Sequence, residues 1–452
     1  MLSLLISVVG IILTLLIIIG VHELGHFLAA RWLGVKVLRF SLGFGKALWR
    51  RTDKRGTEYM IAAIPLGGYV KMLDEDEGPI PDNQRHLSFN IQPFYKKFLI
   101  VAAGPFFNLI LAFILYWLLF IIGFNSIAPV IGKVTPQSIA SEAGLKPNQE
   151  IVSVDNTPTT GWMGVIIRIL SHTGETGSLP IETKPLNTTT INPYSLDLKN
   201  WQMNNLKPDP LESLGIVPFE PNIPPIIDQV AADSPAAKAQ LQIGDKITQI
   251  NGKPIHDWLD MVAIVDKNPS QPLNFTLNRQ GKIQTIIVTT GYQRDMLFKK
   301  HGYLGVTPQF KWPPGMFRKI QYGPILAVTH AWQNICDFTF LNFNLVGKLI
   351  TGKASLKSLS GPISIFQSAG LALNQGIASF MSFLAFLSIS IGIINIFPIP
   401  GLDGGHILFQ VIEVIIRRPI PQRYLVLLYR LGVIVLLMLI FQAITNDILR
   451  LQ

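Results

Sequence analysis

A single cysteine, Cys336, stands in 452 residues, so an internal disulfide framework and a cysteine-built zinc site are both excluded. Its thiol reads as a small packing group or an idle one. Charge is also scarce: Asp, Glu, Lys and Arg make up 15% of the chain against 49% hydrophobic residues, a balance typical of a membrane protein. No charged or titratable side chain precedes His22, and no Lys or Arg precedes Arg31. The opening apolar run therefore lacks the basic start of a secretory signal, and cleavage near Ala30 would discard residues 22–26, so a retained membrane helix is expected. The net charge of +10 reads as topological bias. No segment resembles a nucleic-acid-reading module, and no nucleic-acid partner is expected.

What is present is four apolar runs long enough to span a bilayer as helices, at about 2–30, 97–123, 376–398 and 424–446. From Arg31 to Lys97 there are 12 Lys or Arg against 7 Asp or Glu, and Arg417, Arg418 and Arg423 lie between the last two runs. Both stretches are expected in the cytoplasm, which places about 124–375 and both termini outside. A fifth run, about 323–350, carries His330, Gln333, Asn334, Asp337, Asn342 and Asn344, a heavy polar load for lipid, and reads as an amphipathic or interfacial segment. Residues 37–72 are rich in β-formers broken by glycine. They suggest short hairpins in a small, re-entrant, membrane-associated sheet beside the site. Gly43-Phe44-Gly45 reads as a turn there, and Asp74 to Glu77 as a solvated acidic loop.

The exported block repeats itself. Residues 130–162 align without a gap to 226–258, an offset of 96, so two copies of one small α+β domain are expected at 124–221 and 222–310. Each copy shows an apolar strand, a short helix at Ser-x-Ala or Ser-Pro-Ala, a further strand, and a tight turn at Asp155-Asn156 or Asn251-Gly252. These copies resemble circularly permuted PDZ domains. The resemblance implies peptide-binding loops at Leu214-Gly215-Ile216 and Leu304-Gly305-Val306, beside a sheet edge to which a peptide adds a strand. The first copy departs from the pattern, with Asn148-Gln149 where the second has Gly244-Asp245. Both copies could equally serve as spacers or steric covers.

His22-Glu23-Leu24-Gly25-His26 sets two imidazoles at i and i+4 on one helix face, the spacing for two bonds to one zinc ion, with a carboxylate beside the first as general base. Three titratable groups at the end of an apolar helix would be costly without a metal or charge partner. A catalytic zinc needs a third protein ligand and an open position; a handful of histidines and acids could supply it. Asp403 is the only acid between Asp337 and Glu413, and it follows an apolar helix broken by two prolines in Asn395-Ile-Phe-Pro398-Ile-Pro400-Gly401-Leu402-Asp403-Gly404-Gly405-His406.

With HELGH first and this segment after the repeats, the chain resembles the site-2 protease family of intramembrane zinc metalloproteases along essentially its whole length. The resemblance implies one Zn²⁺ per chain on His22, His26 and Asp403, with Glu23 activating water. It implies that Asn395, Pro398 and Pro400 hold or shape the substrate, and that His406 serves structurally or behind the ligands. Ser360-Gly361-Pro362-Ile363 looks like a family segment packed beside the site. The expected architecture is a polytopic α-helical membrane protein of four transmembrane helices with a small β-sheet and two tandem periplasmic PDZ domains. Residues 1–123 and 376–452 form the two halves of the core, and 311–375 an amphipathic linker region. The implied setting is the bacterial inner membrane, with the site towards the cytoplasm. Implied substrates are single-pass proteins already shortened outside, such as an anti-sigma factor, and remnant signal peptides, with lipid as the surrounding partner. The competing readings are a non-enzymatic membrane PDZ scaffold and a membrane-anchored metallopeptidase acting on surface loops.

Overall fold

The computed structural model describes residues 2–75, 78–204, 209–294, 300–352, 355–418 and 420–451; Asp76 and Glu77 of the acidic loop lie outside them. Among the described residues four helices are long and apolar enough to cross a bilayer: Leu5–Trp32, Phe94–Ile122, Ile377–Ile396 and Arg423–Arg450. They coincide with the four apolar runs, because length and apolar content alone suffice to specify a span. The first helix, Leu2–Trp32, packs against the second, Phe94–Ile122, and the second against Ile377–Ile396. Small residues permit the approach: a Cβ on Gly25 would stand 2.5 Å from Ala103 O, and one on Gly10 2.9 Å from Ala369 O. The last helix, Gln422–Leu451, runs along the outside of this group, touching it at Tyr429 and Gly432 and anchored near its end. There the buried Asp447 carboxylate accepts from the N–H groups of Gly361, Ile363 and Ser364 at 2.9–3.0 Å, capping the helix Pro362–Asn374 from a different helix.

Residues 37–72 form a small sheet from two bent strands, Val37–Thr52 and Glu58–Met72: residues 49–52 pair with 58–61, and residues 39–42 lie between 58–61 on one side and 68–71 on the other. Gly43 and Gly45, at φ 96° and 87°, absorb register shifts, so the strands curl over the first helix without breaking. Arg31, in the last turn of that helix, ties down the hairpin tip by pairing with Asp53 and donating to Thr57. The guanidinium holds the Asp53 carboxyl down at about 2.

The block between the second and third spans contains two units built alike. Each has a four-stranded antiparallel sheet, in the orders 157–158, 149–154, 178–185, 192–197 and 253–254, 246–250, 272–279, 282–289, with an eight-residue strand in the third place of both. The tight turns close as expected, with Asp155, Asn156, Asn251 and Gly252 all at positive φ. At the divergent turn, Asn148 adopts φ 63° where Gly244 has 89°, and Gln149 Oε1 accepts from Lys146 N where Asp245 Oδ2 accepts from Gln242 N. Asparagine tolerates the left-handed region and a side-chain amide oxygen replaces the carboxylate, so the turn survives the substitution.

Two features of this block depend on contacts between distant segments. Phe124–Ile127 pairs with Phe317–Ile320, so the block leaves and re-enters the helical core through one two-stranded stalk. Arg318 on the stalk forms a bidentate pair with the buried Glu150, at 2.7 and 2.8 Å. The stalk leads into Pro324–Ile350, a helix whose Ala327, Ala331, Ile335 and Phe338 are buried with Tyr116 and Ala385 of the core. Its polar face receives the first unit: Arg168 pairs with Asp337 at 2.6 Å, and Lys348 donates to Ser171 O at 2.6 Å. The run read as amphipathic is therefore a helix joining the first unit to the spans. Cys336 lies exposed on it and is not a buried packing group.

Candidate metal centre

His22, Glu23 and His26 lie in the last third of the first helix, and the second helix passes behind them. Across the gap, the helix Ile377–Ile396 ends before two prolines, Gly401 turns at φ 101°, and Asp403 opens the short helix Asp403–Ile416. Gly404 and Gly405 make this turn possible: any Cβ there would collide with the carbonyl oxygens of Ile396 and Ile399. The result brings together residues almost four hundred positions apart. Asp403 Oδ2 lies 3.1 Å from His22 Nε2 and 3.5 Å from His26 Nε2, and the two Nε2 atoms are 3.2 Å apart.

These atoms fit a metal better than they fit one another. His26 Nδ1 is 2.9 Å from the Ile100 carbonyl, which can only accept, so Nδ1 carries the proton and Nε2 turns a lone pair inward. Asp403 Oδ2 is buried and makes no hydrogen bond of acceptable geometry despite its short distance to His22. Lone pairs converging in a buried space repel unless a cation lies among them. Tetrahedral zinc at ordinary bond lengths sets its ligand atoms roughly 3.4 Å apart, close to the separations found. His22, His26 and Asp403 are also the one group of three metal-ligating side chains so arranged among the described residues.

The surroundings shape the centre. Gly104 lies against both imidazoles, where a Cβ would collide with His26 Nε2. Glu23 is half-buried, and a Cβ on Gly68 of the second hairpin strand would stand 2.8 Å from its Cγ, so the sheet presses on the carboxylate's stem. His406 stands apart from the three, its Nδ1 2.8 Å from Tyr429 Oη on the last helix. Asn395 is half-buried in the final turn of Ile377–Ile396, Pro398 is exposed, and the Pro400 carbonyl abuts Gly432. Ser360-Gly361-Pro362-Ile363 belongs to the Asp447-capped helix start. The loop glycines Gly215 and Gly305 both take positive φ, 84° and 80°, between buried Leu214 or Leu304 and the short strands begun by Ile216 and Val306. The Gly215 N–H already donates to Glu212 O at 2.9 Å, capping a helical turn. No local pattern points to Gly104 or to Asn108, whose amide faces His22; each matters through a contact with a residue far away in the chain.

Two imidazoles and a carboxylate converging within a group of bilayer-length helices, beside a further carboxylate, define a membrane-embedded metallopeptidase. The model of peptidase family M50 matches residues 10–439. The chain belongs to that family, the site-2 proteases, and is a zinc-dependent metalloendopeptidase. Among curated relatives, a regulator of sigma E protease from Salmonella typhi is 43% identical over 452 residues, covering 100% of both chains. The regulator of sigma-E protease RseP of Escherichia coli K12 is 42% identical over the same full length. A putative zinc metalloprotease of Vibrio cholerae is 38% identical over 445 residues, 98% of each chain. A solved PDZ domain of an SdrC-like protein from Listeria monocytogenes matches 20% of this chain and 93% of its own, at 18% identity and a TM-score of 0.17.

Proposed function

We propose that this protein cuts the transmembrane segments of single-pass membrane proteins after a first cut outside the membrane, in a bacterial envelope-stress pathway that acts on an anti-sigma factor. The observation that carries this is the meeting of Asp403 with His22 and His26 inside a group of bilayer-length helices. His22, His26 and Asp403 hold one zinc ion. When bound, that ion makes water acidic enough to act near neutral pH and polarises the scissile carbonyl. Glu23 accepts the proton of the attacking water and passes it to the leaving amide nitrogen. The curled hairpin over Glu23 lies where an unwound substrate segment can pair as an added strand, and a helical substrate must unwind to expose its amides. Asn395 and the Pro398–Pro400 bend line the approach.

The two exported units act as tandem PDZ domains on the periplasmic side of the inner membrane, with the active site towards the cytoplasm, as the charge of residues 31–97 supports. Remnant signal peptides are a second substrate class, and lipid surrounds the four spans. The anti-sigma reading is supported by the full-length relatives, which are regulators of sigma E.

Purified wild type and Glu23→Gln, incubated with tagged single-pass substrates, test this. Wild type should cut within the apolar segment. The variant should lose activity by roughly a hundredfold or more while keeping its zinc, since both imidazoles remain. Near-normal cutting by the variant would remove Glu23 from the role of base.

A further inference from the structure

The first and second helices meet along one face of the second: Ile100, Gly104 and Asn108, four residues apart, all abut the two histidines. Ile100 settles His26, because its carbonyl takes the Nδ1 proton and frees Nε2. Gly104 leaves room for both rings. The third position carries a polar group: Asn108 is fully buried, its Nδ2 is 3.3 Å from His22 Nδ1, and its Oδ1 has no partner. In that orientation the amide donates to Nδ1 and leaves the ring proton on Nε2, the atom directed at Asp403. Such a tautomer cannot ligate through Nε2. A half-turn of the amide exchanges oxygen for nitrogen without moving another atom.

We propose that Asn108 is a positioning residue of the centre: its Oδ1 accepts the Nδ1–H of His22 and so fixes the tautomer and ring orientation that offer Nε2 to zinc. The second helix then serves both histidines in the same way, with a backbone carbonyl behind one and an amide oxygen behind the other. Asn108 is itself fixed. Its carbonyl accepts the Ser388 hydroxyl at 2.8 Å, and a Cβ on Gly392 would stand 3.2 Å from the Asn108 Cβ, so the helix leading to Asp403 presses directly on it. This inference rests on His22 being a zinc ligand.

The test is zinc affinity of the purified full chain, measured by competition with a chromophoric chelator, for wild type, Asn108→Leu, Asn108→Asp and His22→Ala. Leucine fills the space without an acceptor and should weaken zinc binding about 10- to 100-fold. Aspartate accepts the same proton and should stay within about threefold of wild type. A leucine variant that binds like wild type, or an aspartate variant as weak as the leucine one, overturns the assignment. If the leucine variant does not fold, the aspartate variant alone decides, since a residue needed only as an uncharged link between helices would not tolerate it. Equal binding by wild type and His22→Ala would refute the ligand set, separately from the role of Asn108.

Discussion

Asp403 reaches the histidines because the two residues after it have no side chains to obstruct the turn. His406, one helical turn on, is engaged with Tyr429. Asp403→Ala should therefore lower both zinc occupancy and activity, as removal of one ligand from a set of three does. Metal analysis of the purified variant checks this, and full occupancy would redirect the search to His406. HELGH was legible because helical geometry alone brings i and i+4 together. Asp403 was legible as a candidate because acids are so rare in that stretch. Asn108 was not, because an asparagine in an apolar helix gives no sign in sequence of which distant ring it faces.

Ion pairs decide how the block between the second and third spans is joined to them. Glu150 is 2% exposed and its carboxylate is taken by Arg318, with Lys184 at 3.8 Å. Removing the guanidinium leaves a buried charge short of its main partner, so Arg318→Ala should destabilise the first unit by about 3 kcal/mol, read by denaturant unfolding of the purified protein followed by a probe in the first unit. The contact between the first unit and Pro324–Ile350 has a pH dependence of its own. Burial alone would raise the Glu175 carboxyl, but His172 and Lys348 hold it below its ordinary range. A depressed carboxylate stabilises above its unfolded pKa and ceases to as pH falls through the folded one. Hydrogen-exchange protection in residues 162–175, taken relative to the intrinsic exchange rate at each pH, should therefore fall as the pH is lowered below about 4.5, and Glu175→Gln should abolish that dependence. The 323–350 segment was readable as amphipathic from its polar load, but its partner on each face was not.

None of the proposed ligands or the base lies between residues 124 and 375, although this block is more than half the chain. It is tethered at one stalk, and the first unit is docked beside the spans. As a steric filter it would exclude substrates with bulky exported domains and admit shortened stubs. Replacing about Val130 to Pro308 with a linker should then preserve zinc binding and permit cutting of full-length substrates spared by the intact enzyme. A folded, zinc-loaded deletion that still rejects them would place the filter in the core or in 323–350.

The sequence by itself determined the four spans, the doubled unit, the HELGH face and the turn-prone segment around Asp403, because each depends on local periodicity, local composition or a repeated pattern. Tertiary structure alone decided the rest. That the hairpin curls over Glu23, that the stalk closes, and that Ile100, Gly104 and Asn108 back the two histidines all depend on how separate helices and strands pack together. Such contacts join residues far apart in the chain, and they are set by which side chains leave room, a property no single segment carries.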